Sequence, residues 1–418
     1  MHITNIRTHI SAQAIIDFMK KPEVATHYHI SKPISLDTAC EWMSKLGFKW
    51  RKPLKGMYID GHERSDVVHY RQNIYLPALA QWESRMRAWD KDNLDCPVDP
   101  SSPSPTRPVV LWFNDQCIFH QNDRQKFRWI HASEKPVPLP KGEGISLMIS
   151  DFISADYGWL RSPDGKETAR VLFRPGTNRE GYFTNEDVLQ QVDNAMDILQ
   201  KYYPNDDHIF IFDNATIHTK RPPGSLSARR MPKKSPKPDP NNPEANWLVE
   251  VDVSDERGHP VYGPNRKKLK KRVRMADGVL PDGQLQSLYF PEGHLQAGIF
   301  KGMATILAER GFVKEAGLNA QCKDFKCPED RIDCCCHRFL FSQPDFSAVK
   351  STLELRCEDR GFPTLFLPKF HPELNPIEQC WCRAKQMYRE YPLSSKEGVM
   401  HSYVVNTLEI ISLRHVRQ

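Results

Sequence analysis

Two uninterrupted apolar runs stand out along the chain, Val-Val-Leu-Trp-Phe at residues 109–113 and His-Ile-Phe-Ile-Phe at 208–212. Runs of this length, bounded by polar residues and rich in β-branched and aromatic side chains, predict strands buried on both faces. Further strand-like runs fall at residues 126–131, 144–154, 170–173, 247–253 and 364–367. Between them the period changes to that of a helix. Thr184, with Asp187 three residues on, forms a capping-box signature, and Val188, Val192, Ala195, Met196 and Leu199 make an apolar stripe that stops before Pro204 and Asn205. Other helices are predicted over 294–310, stopped by Gly311, and over 375–390.

Residues 1–95 read as helical. Ser35 caps a stretch whose stripe is Leu36, Ala39, Trp42, Met43 and Leu46, and Gly47 ends it; residues 66–89 show a second helical pattern. Short helices closed at a glycine suit a helix-turn-helix-like DNA-binding region. A Pro/Ser/Asp-rich linker at 96–108 predicts a domain boundary. The elements that follow, over 109–395, predict an α/β domain with one mixed sheet flanked by helices. Residues 219–345 break that order, being Pro-rich, basic and poor in periodicity, and read as an inserted, partly flexible segment. Residues 396–418 remain as a C-terminal helical tail. No apolar window approaches a membrane span and the first ten residues lack the core of a secretory signal, so an intracellular protein with no membrane partner is expected.

The net charge of +6 matters less than its distribution. Seven of the nine residues over 266–274 are basic: Arg266, Lys267, Lys268, Lys270, Lys271, Arg272 and Arg274. Such a run is either a solvated loop or a nucleic-acid or nuclear-import patch. Five of the 11 cysteines crowd into 15 residues as C-x4-C-x6-C-C-C-H. Clustered thiols in a reducing compartment suggest a metal more than disulfides. A structural zinc would take Cys322, Cys327, Cys334 or Cys336, and His337, with Cys357 in reserve; buried or surface thiols are the alternative.

Candidate chemistry lies with three acids. Asp115 and Asp213 each come just after a buried run, where α/β folds place their sites, and Glu378 lies in the first turn of the last predicted helix. Each has a plain structural explanation. An Asp at a strand end is commonly a turn residue, and Glu378 stands where it would complete a capping box with Asn375 as cap and Pro376 as first helical residue. Brought together, three carboxylates repel one another. Hard magnesium or manganese ions resolve this, and two of them about 4 Å apart serve phosphodiester chemistry.

The segments Phe-Asn-Asp115-Gln, Phe-Asp213-Asn-Ala-Thr-Ile-His218 and Leu-Asn-Pro-Ile-Glu378-Gln-Cys-Trp381 resemble, in order, the three acidic motifs of mariner-type DDE transposases. They are most similar to a group common in fungal genomes, and the resemblance covers about residues 35–395. It implies an RNase H-like fold with the aspartates on strands and the glutamate on a helix. It also implies nuclear cleavage at an element's terminal repeats, joining to target DNA (often at TA), action as a homodimer, and Asp115, Asp213 and Glu378 as ligands of Mg2+ or Mn2+. Asn214 would then orient Asp213, and His218 would be either structural, a supporting donor or a phosphate contact; His371 has a similar standing.

The sequence departs from the compact members of that family, since 164 residues separate Asp213 from Glu378. That is too long for an ordinary loop. The helical N-terminal region has room for one helix-turn-helix where such enzymes commonly use two, and the chain stops soon after the last helix, so it reads as truncated relative to the family. A decayed or co-opted copy that only binds DNA is therefore the alternative to an active enzyme. A resolvase or ribonuclease of the same fold ranks lower, because those lack the Leu-Asn-Pro-Ile-Glu block.

Overall fold

The computed structural model describes residues 12–48, 61–98, 106–123, 141–237, 246–255, 260–265, 267–328 and 331–417. The predicted strand at 126–131 and Arg266 lie outside them. The chain divides into two compact units, Met1–Asp60 and Gly61–Gln418. The first contains α1 (Ala12–Met19), α2 (Pro22–His27) and α3 (Leu36–Lys45). Ser35 caps α3 by accepting from the Thr38 N–H at 3.2 Å. Gly47, at φ 87°, closes it with the paired carbonyl contacts that a left-handed residue allows.

The helical pattern at 66–89 belongs to the second unit. It forms α4 (Ser65–Tyr70), a π turn (Arg71–Tyr75) and α5 (Leu76–Glu83). Tyr75, Leu79 and Trp82 pack beneath the sheet on Val109, Leu111, Ile209 and Leu365. A boundary at 96–108 is thus displaced to 60/61, because these aromatic residues complete the core of the sheet.

The sheet is built from β1 (Val109–His120), β2 (Ser146–Ser154), β3 (Val171–Phe173), β4 (Asp207–Phe212) and β7 (Thr364–Phe366), with a short piece, Gly158–Trp159, at one edge. In order across the sheet the strands run β3-β2-β1-β4-β7. β1 pairs antiparallel with β2 and parallel with β4, and β4 pairs parallel with β7. This is the mixed, RNase H-like arrangement. One face is covered by α6 (Asn185–Tyr202), capped by the Thr184–Asp187 box, and by α9 (Thr352–Asp359). The other is covered by α10 (Ile377–Tyr388) and α11 (Glu397–Ile410). The expected tail is therefore part of the core. Met400, Val404 and Leu408 are buried in it, and the Trp159 indole donates to the Leu408 carbonyl. Among the described residues no helix is long and apolar enough to cross a membrane.

The inserted segment is better ordered than its composition suggests. Leu226, Met231, Leu288, Phe300, Ile306, Leu340 and Phe346 form a core of their own. A hairpin of β5 (Val249–Asp252) and β6 (Lys270–Val273) projects beside it. The helix expected over 294–310 is only α7 (Met303–Glu309), since Gly298 and Gly302 take left-handed backbone just before it. At Gly302 a Cβ would stand 2.6 Å from the Lys234 carbonyl carbon, so no larger residue fits. α8 (Cys336–Phe341) closes this core. The segment leaves the sheet domain after Lys220 and returns at Thr352, whose N–H donates to the Lys220 carbonyl at 2.8 Å. The Thr352 hydroxyl also bonds Asn185, the first residue of α6.

Candidate active site

Side-chain parity brings the acids to one face. Along β1 and β4, Val109, Leu111, Ile209 and Ile211 point to the side of α5. Asp115 and Asp213 continue that alternation. Phe113 pairs with Ile211, so each aspartate lies two residues beyond the last paired position on adjacent parallel strands. Such strands run about 4.8 Å apart. Asp213 follows β4 as expected. Asp115 does not end its strand: β1 runs on to His120, paired with β2 throughout, and Asp115 sits opposite Asp151. The apolar run at 109–113 marked only the half of β1 that pairs with β4.

Glu378 comes from α10. The Asn375 cap is not realised: Pro376 is the cap residue, no side chain caps the helix, and Glu378 is exposed rather than folded back on the backbone. The carboxylate is thereby left facing a cleft of about 360 Å³, lined by Asp115, Asp213, Glu378, Lys369, Phe370 and His371 among others. Phe370 holds a left-handed backbone, φ 64°, at the lip of the cleft, a conformation that costs on the order of 1–3 kcal/mol in a non-glycine residue.

The two aspartates are pushed in opposite directions. The Asp115 carboxyl is pushed up to about 7, first by burial and then by the charge of Glu378, with Asp213 adding to it. Burial also acts to raise Asp213, but hydrogen bonds from His218 (2.6 Å) and the Ala215 N–H (2.9 Å) hold it below the usual carboxylate range. The donor set is oxygen only and mutually repelling, which fits hard divalent cations. Among the described residues the three acids do not bring ligand atoms within 4.8 Å of one another; only four cysteines do.

Supporting contacts surround the acids. The Trp381 indole, one turn after Glu378, donates to Asp115 at 3.0 Å. His218 is fully buried. Its Nδ1 faces Asp213 and its Nε2 lies 3.4 Å from the Gln116 amide, which also bonds Asn114 and Ser150. Both ring nitrogens of the buried imidazole are thus directed at protein partners. Asn214 does not orient Asp213. Its amide donates to the Leu367 carbonyl and so ties the ends of β4 and β7 together. His371 is held between Glu373 and the Arg71 guanidinium. Gln116 and Trp381 stand inside the sequence motifs, which gave neither a role; the i+3 spacing of Trp381 from Glu378 was the available signal.

Of the basic run, Lys268 and Lys270 pair with Asp252 and Glu250 across the hairpin, and Arg274 lies over the Tyr289 ring at 4.3 Å. Lys267, Lys271 and Arg272 are exposed. Arg272 shares a cleft with Arg229 and Arg230, which belong to the Pro-rich, basic segment read from the sequence. In the cysteine segment, the ligand atoms of Cys322, Cys327, Cys334 and Cys335 converge. Cys336 and His337 are not in the set, and Cys357 is buried in the core under α6.

No known family profile matches the chain, and no curated protein matches it. Among solved structures it is similar to the Mos1 strand transfer complex, at 14% identity and a TM-score of 0.27, over 51% of this chain and 54% of that one. It is also similar to the Mos1 transposase paired-end complex with the left transposon end, at 15% identity and a TM-score of 0.28, over 52% and 57% of the two chains. A third is the Mos1 mariner paired-end complex with Mn, at 13% identity and a TM-score of 0.28, over 51% and 56%. The chain spans about half the length of the solved chains it matches. The fold assignment rests on the strand order and register of the sheet itself.

Proposed function

We propose that this chain is the catalytic part of a cut-and-paste DNA transposase, which cuts phosphodiesters at the ends of a mobile element and joins those ends to target DNA in the nucleus. The observation that carries the reading is the meeting of Asp115, Asp213 and Glu378 in one cleft beyond the sheet, in three segments that resemble the acidic motifs of mariner-type enzymes. Asp115, Asp213 and Glu378 would hold two Mg2+ or Mn2+ ions, which supply activation of a water or 3′-hydroxyl and charge stabilisation of the leaving oxygen.

The chain's own residues have the remaining roles. Trp381 and His218 fix the orientation of Asp115 and Asp213. Lys369 on the cleft wall offers a positive charge to a phosphate. Lys267, Lys271, Arg272, Arg229 and Arg230 give the inserted module a phosphate-binding track. The helical first unit would take the element's ends in the manner of a helix-turn-helix, within a homodimer.

The test is nicking of DNA that carries the inverted repeats flanking the gene, in Mg2+ or Mn2+. The wild-type protein should cut it, and Asp213→Asn should abolish cutting while binding is kept. Wild-type binding without cutting would instead establish a decayed copy that acts only by binding DNA.

A further inference from the structure

We infer that the inserted module holds one structural zinc ion on the four thiolates of Cys322, Cys327, Cys334 and Cys335. Their four sulfur atoms all lie within 4.8 Å of one another, although they come from three separate points along the chain. All four are free thiols. The Cys327 and Cys335 sulfurs are 3.9 Å apart. A disulfide would need about 2.05 Å. A tetrahedral site with Zn–S bonds of about 2.3 Å has sulfur–sulfur edges of about 3.8 Å. The observed spacing is that of a tetrahedron's edge.

The other candidates lie outside the converging set, so it closes at four. Cys336 turns its sulfur toward the carbonyls of Leu318 (3.3 Å) and Glu315 (3.4 Å) in the apolar core of the module. His337 uses Nδ1 on the Ala320 carbonyl at 2.5 Å. Adjacent Cys334 and Cys335 both face the cluster, and the Arg338 N–H points at the Cys335 sulfur from 3.5 Å, as backbone donors do around a thiolate.

Sulfur ligands select a soft ion where the carboxylate cleft selects a hard one, so the two metal sites do not compete. The role follows from the local structure. Among the described residues of 321–335 there is a single turn of 3-10 helix, Lys323–Phe325, before α8 begins. Four converging thiols are what this loop has in place of an apolar core. Since Cys336 is buried in the module's core directly after Cys335, the ion would clamp the loop to that core.

The experiment is elemental analysis of the full chain purified without chelators in excess Mg2+, with a cobalt-substituted sample measured in parallel. About one zinc per chain is expected, together with intense thiolate-to-cobalt charge-transfer absorption. Carboxylate-bound cobalt does not give that absorption. Cys327→Ser and Cys335→Ser should each lower zinc at least tenfold, whereas Cys336→Ser should keep it. Zinc-free wild-type protein, iron in place of zinc, or zinc unchanged in the Cys322→Ser/Cys335→Ser double variant would each overturn the assignment. The wild-type metal content and cobalt spectrum stand even where a variant fails to fold.

Discussion

The indole nitrogen of Trp381 lies 3.0 Å from Oδ2 of Asp115, although 265 residues separate the two along the chain. Trp381 is buried against Trp159, ring centroids 5.2 Å apart, so the donor is fixed before any substrate arrives. Trp381→Phe keeps most of the ring and removes the N–H. Metal-dependent cleavage should fall about 10- to 100-fold, with a stability loss of only about 1–2 kcal/mol. Nicking rates beside thermal melts separate the two effects. A rate equal to wild type would refute the orienting role.

His218 makes a comparable prediction for the second aspartate. Asn presents a donor near the position of Nδ1, whereas Leu presents none. His218→Leu should weaken Mn2+ binding about 10- to 100-fold, and His218→Asn should retain most of it. Calorimetric titration of Mn2+ into the two variants reads this directly, and equal affinities would remove His218 from the site.

Asp115 should cost the metal-free protein stability. Its carboxyl ionises near 4 when unfolded and is pushed up to about 7 when folded, so folding disfavours the charged form. Stability of the metal-free chain should fall as pH rises through that window. Asp115→Asn should then be the more stable protein at pH 8 in chelator, by on the order of 2 kcal/mol, and should lose the stabilisation that Mg2+ gives wild type. Melting temperatures against pH, with and without Mg2+, test both statements.

Arg229, Arg230 and Arg272 line one cleft on the module. If they track a DNA backbone, replacing all three with Ala should weaken binding at every sequence alike. The slope of log affinity against log salt should become shallower by about 0.9 for each phosphate that is no longer neutralised. An unchanged slope would leave the arginines without a DNA role.

The sheet and the acids were legible because each rests on local pattern. The runs at 109–113 and 208–212 marked strands, and the Thr184 box marked the start of α6 to the residue. What was not legible depended on partners distant in sequence. The far half of β1 reads Asn-Asp-Gln-Cys, and only pairing with β2 makes it a strand. The helices at 65–83 look like any amphipathic pair until Tyr75 and Trp82 are seen under the sheet. Cys335 could not be preferred to Cys336 from spacing, because adjacent residues differ only in which way the backbone turns them.

The hydrogen bond between Thr352 and Lys220 closes the module at its neck. Everything between those residues can lengthen, shorten or change composition while the two strand-borne aspartates and the helix-borne glutamate keep their mutual address. The frame that carries the three acids is thus insulated from changes in its largest appendage, and a graft of short linker in place of residues 221–350 would start from ends already touching.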